Sequence, residues 1–290
     1  MTTTAGNALT EALGEDIDRL FDADPEVRCD APDSVHQMRV ATRRLRSVLR
    51  SYRGLFGKQP VAAMGAELKW LADLLGEARD AEVRGERFAT LLEAEKTESA
   101  ADLAAVTARL VTAERDHYRA AHEEILAALD GDRYQALRAA LSRWHGDPPL
   151  RRARAEAAAT EYFGVVLERD RERVEALIRA EPTVSATERI ELLHDIRKSA
   201  KRLRYCGEAA EPTVGGKAAD LGSRAKRLQT VLGDHRDAVE SHDAILARAA
   251  EAAAAGEHTG TYEALAVAED AAAGRALGRY PAVAAALSTD

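Results

Sequence analysis

His36, Arg39, Arg43 and Arg46 follow one another at steps of three, four and three residues in the segment HQMRVATRRLR. The segment HDIRKSAKRLR repeats the pattern 158 residues later as His194, Arg197, Lys201 and Arg204. A helix turns once in about 3.6 residues and rises about 1.5 Å per residue, so each quartet forms a row on one helix face with rungs roughly 4.5–6 Å apart. Each row is one imidazole followed by a ladder of cations. Guanidinium forks grip phosphate-type oxygens bidentately and an ammonium acts as a point charge, so a duplicated ladder of this kind suits a polyanion.

A second motif is also duplicated. WLADLLGEARDAEV, from Trp70, matches RLQTVLGDHRDAVE, from Arg227. Lys69, Gly76 and Arg79 correspond to Lys226, Gly233 and Arg236 at an offset of 157. Their steps of seven and three keep each trio on one stripe. A glycine between two cations lets a backbone or ligand approach closely, or else it ends a helix. Asp80 and Asp237 each follow an arginine and are expected to cap the next helix or to orient that arginine. His36 and His194 open the ladders and can donate to the same anion. Neighbouring cations disfavour the charged imidazole and a bound phosphate favours it.

The elements that must position these groups are helices. Val35, Met38, Leu45, Val48 and Tyr52 form an apolar stripe, and the first ladder lies one residue later, about 100° round the helix. Leu193, Ile196, Ala200 and Leu203 repeat this arrangement. The cations therefore flank the core face and are expected to line an edge or cleft where helices meet. No aspartate or glutamate occurs between Ser34 and Ala66, so the first ladder has no local i,i+4 acidic partner. Periodicity and punctuation predict helices over 8–20, 35–56, 61–75, 100–129, 151–178, 188–210 and 217–232, then alanine-rich helices to 287. A break is expected near Arg79-Asp80, and caps at Asp33 or Ser34 and at Ser185 or Thr187. His145-Gly-Asp-Pro-Pro149 marks the boundary between halves, 1–146 and 147–290, each a helical bundle.

Composition narrows the function classes. The net charge is −8 and aromatics make up 4% of 290 residues. A protein that bound nucleic acid over its whole surface would be basic overall, and the basic helices offer only Tyr52 and Tyr205 for base stacking. Two cysteines, Cys29 and Cys206, make neither a disulfide framework nor a CxxC zinc pattern. The start lacks a signal-peptide pattern and no apolar run spans a bilayer, so a soluble cytoplasmic protein is expected. Three rival readings stand beside the polyanion binder. One is a helical nucleic-acid binder. Another is a metal-dependent phosphohydrolase built on His194-Asp195, His242-Asp243 or the pair His117 and His122, although Gln37 stands where the first repeat would need Asp195's counterpart. The third is a scaffold that binds no anion.

The pairs HxxRxxxxRLR, from His36 and His194, and LGxxRDA, from Leu75 and Leu232, resemble the conserved histidine α-helical domain, or CHAD, over both halves of the chain. The resemblance implies an all-α fold of two pseudo-symmetric four-helix bundles packed around a basic central cleft or channel. It implies binding of inorganic polyphosphate or other phosphate-rich polyanions, and association with polyphosphate granules. Mapped onto this chain, the binding set is His36, Arg39, Arg43, Arg46, Lys69, Arg79, His194, Arg197, Lys201, Arg204, Lys226 and Arg236. Arg44, Arg50, Lys198 and Arg202 stand in second rank. No metal, cofactor, membrane or catalytic residue is expected. Many relatives carry a triphosphatase-type domain with an ExExK strand motif, and this chain has no such pattern.

Overall fold

The computed structural model describes residues 3–95 and 100–288. It is 89% helical, with no strand among the described residues. The helices are α1 (Ala5–Arg28), α2 (Ser34–Ser51), α3 (Lys58–Ala94) and α4 (Ala100–Thr107). A π-helical turn (Ala108–Thr112) joins α4 to α5 (Ala113–Asp130). Then come α6 (Asp132–Gly146), α7 (Arg152–Ala155), α8 (Ala159–Ala180) and α9 (Ala186–Val214). The last three are α10 (Gly216–Ala254), α11 (Gly260–Gly278) and α12 (Tyr280–Leu287).

The chain divides into two compact units, and each draws on both halves of the sequence. The first comprises Met1–Leu75, Ile125–Gln229 and Ala282–Asp290; the second comprises Gly76–Glu124 and Thr230–Pro281. In the first unit α1 packs on α2, α8 packs on α9, and α2 packs on α9. The expected stripe is the reason: Val35, Met38, Leu45 and Val48 on α2 and Tyr52 at its C-cap are buried, as are Leu193, Ile196, Ala200 and Leu203 on α9. Tyr52 packs against Phe163 of α8 at 4.4 Å between ring centroids. Phe56 stacks on Trp144 at 5.7 Å. Helix α9 begins with a capping box in which Ser185 Oγ accepts from the Glu188 N–H and Glu188 accepts from the Ser185 N–H. Asp33 is the α2 N-cap, in the left-handed region at φ 61°.

In the second unit Phe88, Val106, Leu110, Ile245, Tyr262 and Leu265 form the core. Glu269, fully buried, accepts a bidentate ion pair from Arg87, whose Nη2 is 2.5 Å from Oε2.

Several expected helix ends do not occur. α1 runs past Pro25 to Arg28, because Ala23 and Val27 continue its buried face and Arg28 pairs with Asp24 at 2.6 Å. α3 continues through Arg79-Asp80 without a break, and α10 continues through Gly233 and Asp237. Gly76 and Gly233 are therefore buried interior positions and end no helix. Asp80 and Asp237 lie inside helices, which removes the N-cap role, since a cap residue leaves helical geometry. The physical reason is continuous burial: Leu75, Ala78, Ala81 and Phe88 carry the apolar face of α3 onward, as Val231, Leu232, Ala238 and Ile245 do in α10.

Candidate functional site: two facing cationic helices

All eight ladder residues on α2 and α9 are half-buried: His36, Arg39, Arg43 and Arg46, with His194, Arg197, Lys201 and Arg204. This follows from their position one residue beyond the buried stripe, where a side chain is carried to the margin of the core. Arg39 and Arg197, at equivalent rungs, both bury the Nε atom.

The two ladders meet at Lys201. Burial, then the guanidiniums of Arg43, Arg197, Arg39 and Arg46, push its ammonium down from the usual lysine range to about 5. Three of those arginines belong to α2 and one to α9, so charges from both helices converge on one amine. Lys201 makes no ion pair or hydrogen bond to the described residues. Arg46 is likewise lowered, by burial first; Asp73 acts to raise it and Arg50 to lower it. A concentration of like charge in partly desolvated surroundings is unfavourable by itself and becomes favourable with a counter-anion.

The carboxylates near the ladders have specific positions. Glu208 accepts from Arg204 Nε at 2.8 Å and also pairs with Arg44, linking the two helices at one end. Tyr205 lies between guanidiniums, with Arg204 at 5.0 Å and Arg44 at 5.4 Å from its ring centroid. Burial raises the Tyr205 phenol and the adjacent arginines act against that rise.

Arg44 and Arg202, equivalent by the 158-residue offset, are each bound to a buried aspartate on the neighbouring helix. Arg44 Nε donates to Asp16 of α1 at 2.8 Å. Arg202 donates to both oxygens of Asp170 of α8, at 2.7 and 2.9 Å, and to Ser51 Oγ of α2 at 3.1 Å. Ser51 Oγ in turn donates to Asp170 at 2.6 Å. Asp16 and Asp170 are each 2% exposed. These pairs fasten each ladder helix to its neighbour, and Arg44 and Arg202 also fasten the ladder helices to each other.

Sequence reasoning did not find Asp16, Asp170, Ser51 or Glu208, and weighed Tyr205 only as a stacking platform. A signal existed for the aspartates: each sits within an apolar face, Asp16 among Leu9, Leu13, Ile17 and Leu20, and Asp170 among Phe163, Val166, Leu167 and Val174. A carboxylate there needs a buried cation.

Lys69 and Lys226 are exposed in the first unit, Lys69 paired with Asp73. Arg50 and Lys198 are also exposed, and Lys198 pairs with Asp195 at 2.9 Å. Arg79 and Arg236 lie in the second unit, where Arg79 pairs with Glu82 at 2.8 Å and Arg236 with Glu240 at 2.5 Å.

Among the described residues no three histidine, cysteine, aspartate or glutamate side chains gather to hold a metal ion. His242 Nδ1 faces its neighbour Asp243 at 3.1 Å, and His122 stacks on Tyr118 at 5.8 Å. No helix of the described residues is long and apolar enough to cross a membrane.

An all-helical chain with duplicated cationic helices defines the class, and comparison with known proteins places it. The CHAD domain family model matches residues 11–246. An uncharacterized protein of Mycobacterium tuberculosis H37Rv, Rv2226, is 39% identical over 254 residues, covering 87% of this chain and 47% of the relative. The chain thus spans about half the length of the curated relatives it matches. Among solved structures, PptA from Streptomyces chartreusis superposes with a TM-score of 0.76 at 18% identity, covering 97% of this chain and 99% of that one. The CHAD domain from the plant Ricinus communis superposes with a TM-score of 0.70 at 21% identity, covering 100% of this chain and 93% of that one. The chain belongs to the CHAD domain family.

Proposed function

We propose that the facing ladders of α2 and α9 bind inorganic polyphosphate, without catalysis, and that this binding carries the protein to polyphosphate granules. The observation that carries the reading is the packing of α2 on α9, which brings two half-buried rows of cations together, with Lys201 making no ion pair or hydrogen bond to the described residues. A polyphosphate chain has a negative charge on every unit and no bases. It answers a linear row of cations without needing any sequence-reading group, and binding it releases counter-ions. Family membership supports the same ligand class. The aromatics favour polyphosphate over single-stranded nucleic acid: Tyr52 and Tyr205, one at each basic helix, are buried at 0% and 3% exposure and offer no face to a base.

The test is a titration of end-labelled polyphosphate followed by fluorescence anisotropy at several salt concentrations. Wild-type affinity is expected to fall steeply as salt rises. The double variant Arg43→Glu, Lys201→Glu is expected to lose binding while circular dichroism shows unchanged helicity. Wild-type affinity in a folded double variant overturns the site. Equal competition by single-stranded DNA overturns the ligand class.

A further inference from the structure

We propose that polyphosphate leaves the ladders over the C-terminal end of α2, across a separate arginine patch of Arg50, Arg53, Arg154 and Arg169, and is stopped on α9 by Glu208. The exit rests on the polyphosphate reading above and gives that site a direction. One more step of four carries each row to a fifth position: Arg50 after Arg46, and Glu208 after Arg204. The two are equivalent at the 158-residue offset, so the same place holds a cation on one helix and a carboxylate on the other.

Glu208 closes its end. It accepts from Arg204 Nε at 2.8 Å and pairs with Arg44, so it occupies the guanidiniums that the next phosphate would need. An adjoining surface pocket is lined by Glu11, Glu15 and Asp16 along with Glu208 and Arg44. Arg19 pairs with Glu15 and Asp16 there, and the carboxylates still outnumber the guanidiniums. An anion moving past Arg204 meets net negative charge.

The α2 end is built the other way. Arg50, Arg53, Arg154 and Arg169 are all exposed. Two of them are fixed to backbone carbonyls on either side of Arg53: Arg169 Nη2 donates to Ser51 O at 2.8 Å, and Arg154 Nη1 to Gly54 O at 3.1 Å. The segment that bears Arg154 is tied to this turn by the Arg151 N–H on Leu55 O at 2.7 Å and the Gly57 N–H on Pro149 O at 3.1 Å. Gly54 permits the close approach, since a Cβ there would lie 2.6 Å from Tyr162 Oη and 3.1 Å from Arg154 Nη1. Among the described residues only Arg169 of the four makes an ion pair, with Asp170 at 3.1 Å, and Arg202 shares that aspartate. The patch therefore keeps its guanidinium forks available to a second stretch of the same polyanion.

The experiment titrates labelled long-chain polyphosphate, and competes it with tripolyphosphate, on three full chains: wild type, the double variant Arg53→Gln, Arg154→Gln, and Glu208→Gln. Salt is kept at or above about 0.1 M, where the screening length is about 10 Å. Arg53 lies about 15 Å along the helix from Arg43 at about 1.5 Å per residue, beyond the span of a triphosphate. The double variant is expected to bind long chains less tightly, with a slope of log affinity against log salt shallower by about 1.4, two contacts at about 0.7 each. Its affinity for tripolyphosphate is expected to match wild type. Glu208→Gln is expected to bind long chains more tightly, with a slope steeper by about 0.7 or more; removing a carboxylate that only clamped α2 to α9 would weaken binding instead. Equal loss of both ligands in the double variant, or no loss of long chains, overturns the exit. A Glu208→Gln chain no tighter than wild type overturns the stop, and this arm decides alone should circular dichroism show the double variant unfolded. Wild type that binds neither ligand overturns the polyphosphate reading and the exit with it, whereas wild type that binds both while the variants behave identically overturns the exit alone.

Discussion

Lys201→Met separates the charge of the central rung from its bulk, because methionine fills a similar volume and carries no proton. In the folded protein Lys201 gives up its proton near pH 5, whereas a lysine in an unfolded chain keeps it to about pH 10.4. Between those limits the unfolded state holds one more proton than the native state, so wild-type stability rises with pH through this group. The slope is about 1.4 kcal/mol per pH unit for one proton. The methionine variant lacks the term. Wild type is therefore expected to gain roughly 2–3 kcal/mol relative to Lys201→Met between pH 6 and pH 8. Urea unfolding in low-salt, phosphate-free buffer measures this difference. Trp70 and Trp144, both in the first unit, give the fluorescence signal. Taking the difference between the two proteins cancels the histidines and carboxylates they share. Saturating polyphosphate should abolish the relative slope, since bound phosphates keep the lysine charged in the native state as well. A wild-type minus variant difference that is the same at pH 6 and pH 8 refutes the neutral amine and the cation cluster behind it.

Two further substitutions probe the same region. Asp170→Asn removes the negative charge opposite Arg202, which stays half-buried, and should cost about 3–5 kcal/mol in urea unfolding; a loss under about 1 kcal/mol would show that the Arg202–Asp170–Ser51 network does not fasten α8, α9 and α2. Lys201→Arg looks conservative but places a group that cannot lose its proton among four guanidiniums. It should lower stability at pH 8 by roughly 1–4 kcal/mol, the scale of one close like-charge pair between bulk water and an effective dielectric of about 20; unchanged stability would mean that the rung is solvated enough to tolerate a permanent charge.

Much of the first unit was legible in the sequence because its two signals reinforce each other. The stripe from Val35 to Tyr52 placed α2's buried face, and the fixed offset of one residue between stripe and ladder placed the cations at the margin of the core. Helix ends were harder to read. Gly76 and the Arg79-Asp80 pair look like punctuation, yet the tertiary burial of Leu75, Ala78 and Phe88 outweighs a glycine's cost of about 1 kcal/mol and keeps α3 continuous. The clamp aspartates escaped for a different reason. Asp16 and Asp170 are 154 residues apart, not 158, so a search for repeats at constant offset passes over them. The compact units were not legible at all, because α3 and α10 each supply residues to both and no linker marks the division.

The one asymmetry between the ladders lies where they meet. Three rungs repeat identically, His36 with His194, Arg39 with Arg197 and Arg46 with Arg204; the remaining rung is Arg43 in the first copy and Lys201 in the second. With arginine in both copies, no cation near the convergence could shed its charge, and the free protein would carry the full repulsion at every pH. A lysine there lets the free protein discharge one member of the cluster and lets a bound anion restore it. Glu208 performs the complementary task at the end of the row, bridging Arg44 and Arg204 where a carboxylate can reach both. A chain of net charge −8 thus concentrates positive charge locally on α2 and α9. Proton loss at Lys201 relieves the cluster in a way that a polyanion can reverse, whereas an internal carboxylate would have to be displaced.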